Sequence, residues 1–101
     1  MEFRELENRV LIWAKEKGIL EKGNPMTQGL KTLEEVQELL VSLNVGDIDE
    51  TVDAFGDILV TLIIGTHLLN LDLIGCGESA YNVIKGRKGK MIDGTFVKDV
   101  C

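Results

Sequence analysis

At 101 residues the chain has room for one domain, residues 1–101, and its 45% hydrophobic content can build a modest core. A formal net charge of −6 argues against nucleic acid or a membrane surface as the main partner and suits metal ions instead. The charged start MEFRELENR has no signal-peptide pattern, the apolar run from Ile58 to Ile64 is too short to span a bilayer, and Cys76 and Cys101 form neither a metal motif nor a disulfide framework. A cytoplasmic protein is therefore expected.

The first predicted helix covers Glu2 to Lys17 and stops at Gly18, with Phe3, Leu6, Val10, Ile12 and Trp13 on a helical period. Trp13 at that spacing reads as a core residue rather than a stacking platform. Asn24 then caps a second helix whose first turn holds Pro25, and this helix runs to about Asn44 before Gly46 ends it. Asp47 and Glu50 have capping-box spacing and start a third helix reaching about Asn70. A fourth runs from near Asp72 to about Arg87. The tail KGKMIDGTFVKDV alternates about Asp93-Gly94, a strong hairpin signal. The expected fold is all-α and four-helix bundle-like, with a short C-terminal β-hairpin. A chain this small often extends its core across a subunit boundary, so a homodimer or homotetramer is expected.

Two acidic groups carry the chemistry. On the second helix, Gln28, Lys31, Glu35 and Glu38 fall within an arc of roughly 80°, with Glu34 to one side and Leu33, Val36, Leu40 and Leu43 on the far side. On the third, Glu50, Asp53 and Asp57 fall within roughly 60°. A solvated face with an ordinary Lys31–Glu35 ion pair would explain the second helix. The third resists that explanation. Val52, Phe55, Leu59, Leu62 and Ile63 make it apolar on its other sides, which predicts burial, and Asp57 lies too deep for N-terminal capping. Antiparallel packing would bring the stripes face to face, and converging carboxylates repel unless a cation is bound. An all-oxygen cluster without His or Cys suits Mg²⁺, or Mn²⁺, which also grips substrate phosphates.

Asn82, Lys85, Arg87, Lys88 and Lys90 form the one basic cluster, read either as a favourable helix end or as a phosphate site. His67 reads as a structural histidine. No GxxxxGK[ST] loop is present, and no Ser or Cys has a credible histidine partner.

The combination Glu34-Glu35-Val36-Gln37-Glu38, then Glu50-Thr51-Val52-Asp53, on a helical chain resembles the MazG-like nucleoside triphosphate pyrophosphohydrolases. WAKEKGIL followed by Gln28-x-x-Lys31-x-x-Glu34-Glu35 is similar to that family's N-terminal half, and AYNVIKGRKGKMIDGTFVK to the ending of its small, phage-type members. The resemblance implies Mg²⁺-dependent hydrolysis of a (deoxy)nucleoside triphosphate between its α and β phosphates, giving monophosphate and pyrophosphate. It implies Glu35 and Glu38 as metal ligands, one carboxylate activating the water, with Gln28 and Lys31 near the substrate and Asn82, Lys85 and Arg87 meeting the phosphates. Many members carry ELGD ahead of an apolar run, where this chain has Ala54-Phe55-Gly56-Asp57. The missing glutamate leaves the third-helix ligands open among Glu50, Asp53 and Asp57. Two alternatives stand beside this expectation: a narrow relative acting on dUTP or phosphoribosyl-ATP, and a catalytically idle helical interaction module.

Overall fold

In the computed structural model, which describes residues 1–100, the chain is mostly helical and ends in a small antiparallel ribbon. The elements are α1 (Phe3–Glu16), α2 (Ile19–Lys22), α3 (Pro25–Val45), α4 (Ile48–Leu68), α5 (Leu73–Ile84), β1 (Gly89–Ile92) and β2 (Thr95–Lys98). Cys101 lies outside the described residues.

Local chemistry sets these boundaries. The Asn24 side chain accepts from the Thr27 N–H at 2.9 Å, the Thr27 hydroxyl completes a reciprocal capping box, and Pro25 occupies the first turn. Asp47 does half as much for α4: its carboxylate accepts from the Glu50 N–H at 3.1 Å. Between them Gly46 ends α3 at φ 76°, a left-handed position that suits glycine. At the other end, Asp93 and Gly94 take φ of 50° and 80°, the type I′ geometry that pairs Ile92 with Thr95. The single turn α2 was not expected, and α1 and α5 are shorter than the sequence predicts, closing at Glu16 and Ile84.

The α3–α4 hairpin is the centre of the fold, and its contact line is unusually polar. Thr61 Oγ1 accepts from Thr32 at 2.7 Å and donates to the Ile58 carbonyl. Toward the turn, the Ser42 and Thr51 hydroxyls lie 3.0 Å apart, each also reaching a carbonyl of its own helix or cap. Both pairings share one register, centred on the Gly46–Asp47 turn. Buried Ala54 lets the backbones approach between the two hydroxyl pairs.

Helix α1 lies on α4, burying Ala14, and α5 touches α4 near their junction. Arg4 straps the two ends together, donating to both oxygens of Asp72 at 2.5 and 3.0 Å. The Arg4 guanidinium holds the Asp72 carboxyl below its ordinary value, while the Gly75 N–H also favours the charged form.

The all-α expectation with a C-terminal hairpin holds, with α4 as the hub that α1, α3 and α5 contact. One expectation needs correction: α4 is not buried all round, since Val52, Phe55 and Leu62 are exposed. The segment Ile58–Ile64 belongs to a 21-residue helix that is long and apolar enough to cross a membrane by length and composition, although it carries Asp53 and Asp57 midway.

Because a Cβ at Gly46 would meet no atom within 4 Å, Gly46→Ala tests backbone strain alone. It should lower stability by about 1 kcal/mol, read as a lower urea midpoint at unchanged helical circular dichroism.

Candidate metal centre

Midway along the hairpin, three carboxylates converge from two helices. One oxygen each from Glu35 and Glu38 on α3 and Asp57 on α4 lies within 4.8 Å of the others. Glu35 and Glu38 share a face because they are three residues apart, and the antiparallel register sets Asp57 beside them.

Glu35 is the member under most stress. Only 7% of the residue is exposed, and its Oε2 is buried without a hydrogen-bond partner. Leaving such an acceptor unsatisfied costs about 1–3 kcal/mol, and more when it is charged. Lys31 Nζ stands 3.6 Å from Glu35 Oε1 but lies nearer to Glu34, at 3.4 Å, so its charge is shared. Burial pushes the Glu35 carboxyl above its ordinary value, the adjoining Glu38 pushes further, and Lys31 only partly opposes them. Asp57 is open on one side yet also raised, first by lost hydration and then by the charges of Glu35 and Asp53.

The cluster forms a ridge between two hollows. One, of about 380 Å³, is bordered by Glu35 and Asp57 together with Gln28, Lys31, Trp13 and Ile64. The other, of about 560 Å³, is bordered by Glu38 and Glu50 with Glu34, Gln37, Val41 and Val45. Of the sequence-predicted ligands, Glu35, Glu38 and Asp57 thus meet directly. Asp53 stands exposed one turn away on α4, close enough for its charge to act on Asp57. Glu50 is farther along, on the wall of the second hollow.

The predicted substrate residues divide in the same way. Gln28 and Lys31 border the first hollow. Asn82, Lys85 and Arg87 border neither; they are exposed at the far end of α5 and beyond it, where Arg87 adjoins Lys88 and Lys98.

Trp13 is the residue that the helical period misassigned. It is not core: 46% of it is exposed, and it forms a wall of the hollow beside Glu35 and Asp57. Its neighbour Ala14 takes the buried position instead, a difference of one residue that the helical period does not resolve. His67 is likewise exposed, beside a hollow shared with Glu7 and Asp72.

The donor set passes a chemical test for a hard divalent cation. All three ligand atoms are carboxylate oxygens from well-formed helices, and one buried acceptor lacks any donor. Comparison with models of known protein families, with curated proteins and with solved structures finds no match to this chain.

The raised carboxyls set a pH dependence. Glu35 and Asp57 keep their protons to higher pH in the folded chain, so their stabilising contribution is full below the ordinary values of 4.5 and 3.8. It is lost as pH rises through the raised values. The Arg4–Asp72 pair has the opposite sign and weakens only as pH falls below 3.8, outside that window. In EDTA the melting temperature should therefore fall as pH rises above 4.5. Millimolar Mg²⁺ should restore it near the upper end and not the lower, and Glu35→Gln should flatten both responses.

Proposed function

We propose that this chain is a Mg²⁺-dependent nucleoside triphosphate pyrophosphohydrolase of the MazG-like kind, cleaving between the α and β phosphates. The observation that carries the reading is the convergence of Glu35, Glu38 and Asp57 around an unpartnered buried carboxylate oxygen, beside a hollow lined also by Lys31 and Trp13.

Glu35, Glu38 and Asp57 would hold the cation, with Asp53 and Glu50 in reserve along α4. Once bound, Mg²⁺ supplies positive charge for the phosphate oxygens and acidifies a coordinated water. The protein's own residues do the rest. Lys31 and Gln28 border the hollow and bring N–H donors to it, where a phosphate chain needs donors. Glu38, an exposed member of the cluster, would hold the cation through one carboxylate oxygen and accept a proton from the attacking water through the other. Glu35, buried in the helix contact, would anchor the cation rather than exchange protons with solvent. Trp13 offers its ring as a surface for the base, a contact indifferent to base identity.

A second reading, a helical interaction module without turnover, draws on the large apolar side that α3 and α4 leave exposed.

Incubation with a panel of NTPs and dNTPs plus Mg²⁺ should release nucleoside monophosphate and pyrophosphate. Orthophosphate as product would refute α–β cleavage. No turnover, together with no Mg²⁺-induced rise in melting temperature, would favour the interaction module. Glu38→Gln and Asp57→Asn should each remove most turnover, whereas Glu34→Gln should be mild; equal losses from all three would overturn the placement of the site. Trp13→Ala should raise KM roughly 5- to 150-fold with little change in kcat, the scale of one lost base–aromatic stack.

A further inference from the structure

The hollow that holds Gln28 and Lys31 has a neighbour. A further hollow, of about 360 Å³, opens between α1 and α4 and is bordered by Arg9, Val10, Trp13, Asp57 and Val60. Trp13, Asp57 and Val60 border both hollows, so one indole separates them and one carboxylate of the acidic cluster serves each. A ligand whose phosphates share a cation with Asp57 therefore has access to the two together.

Their chemistry differs. The first hollow is lined by Lys31, the Gln28 amide and the hydroxyls of Thr27 and Thr61, groups that suit phosphate oxygens. The further hollow is walled by Val10, Val60 and the indole, with Arg9 as its one cation. Arg9 and Trp13 are four residues apart on α1, which sets guanidinium and indole on one face of that helix. Apolar and aromatic walls with one oriented polar group are what a flat, uncharged ligand needs. A phosphate would fare worse here. Arg9 Nη2 already donates to Glu5 Oε1 at 2.8 Å, so an anion would face the Glu5 and Asp57 carboxylates across a single guanidinium. A neutral base meets no such repulsion. Among the described residues Glu5 is the only hydrogen-bond partner of the Arg9 guanidinium, which leaves N–H groups of its planar fork for a ligand.

We propose that this hollow receives the nucleobase and that Arg9 is a specificity-determining residue that selects guanine. The assignment rests on the nucleotide reading of the acidic site and extends it to the base. A guanidinium has donors only, and guanine presents N7 and O6 as adjacent acceptors that the fork meets bidentately. Adenine carries an amino donor where guanine has O6, so a donor would face a donor. Thymine and uracil have no adjacent pair of acceptors. Cytosine has one, N3 with O2, on a smaller ring that covers less of the indole, and it ranks second. Trp13 thus supplies affinity for any base, and Arg9 supplies the choice among them.

Trp13 is the single tryptophan of the chain, so quenching of its fluorescence reports a ligand beside it. Titration in Mg²⁺ with nucleoside monophosphates, which have no α–β bond to cleave, keeps binding apart from turnover. The full chain should bind dGMP about 5- to 150-fold more tightly than dAMP, the discrimination of one bidentate pair. The inosine analogue dIMP keeps N7 and O6 and should match dGMP, whereas 7-deaza-dGMP lacks N7 and should fall toward dAMP. Arg9→Met should weaken dGMP to the level of dAMP and leave dAMP unchanged. The Arg9 side chain is 65% exposed, so the variant should keep the native melting temperature. Equal affinities for dGMP and dAMP in the unaltered chain would overturn the choice of base and leave α–β hydrolysis standing. Arg9→Met weakening both nucleotides alike would also overturn it, by moving Arg9 to the phosphate. Failure of every nucleotide to bind, triphosphates included, would overturn the nucleotide reading and this assignment with it.

Discussion

The contact between α3 and α4 governs the molecule, and its chemistry is the reverse of an ordinary helix pair. Small and hydroxylated residues occupy the contact line, and the large apolar residues sit to one side of it. Thr32 with Thr61, and Ser42 with Thr51, satisfy their polar atoms across the pair or along their own helices. Glu35 lies on the same line and is not satisfied in that way. The close approach that hydroxyls and Ala54 permit is what drives the Glu35 carboxylate out of water and beside Glu38 and Asp57.

That arrangement divides the hairpin by function. One side gathers carboxylates, with Trp13 from α1, Gln28 and Lys31 around them. The other gathers leucines, valines and a phenylalanine with no charge among them. Each side is incomplete in a different sense. The acidic side has more negative charge than its single lysine can balance, and a divalent cation would relieve it. The apolar side has more hydrophobic area than the chain itself covers.

Ala54 bears on the proposed function, because the proposed MazG-like reading would call for a glutamate at this position. In this chain the position is buried in the helix contact. Asp57, three residues on and turned toward the acidic side, is the α4 carboxylate that reaches the cluster. Asp53 acts on it through charge, and Glu50 serves a neighbouring hollow.

Much of this was legible in the residues themselves. Asn24-Pro25, Gly46-Asp47 and Asp93-Gly94 set the starts, stops and turn of the main elements, because caps and tight turns depend on local stereochemistry. Helical spacing alone separated Glu35 and Glu38 from Glu34. Spacing could not say which side of a helix is inside. Trp13 and Ala14 differ by one residue, and only the packing of α1 on α4 decided that the small one is buried and the large one faces the hollow. The same holds for α4, whose all-round apolar character read as burial although half of that surface is left open by its own chain. Periodicity records which residues share a face. What that face meets depends on the path of the whole chain, and the convergence of Glu35, Glu38 and Asp57 belongs to that path.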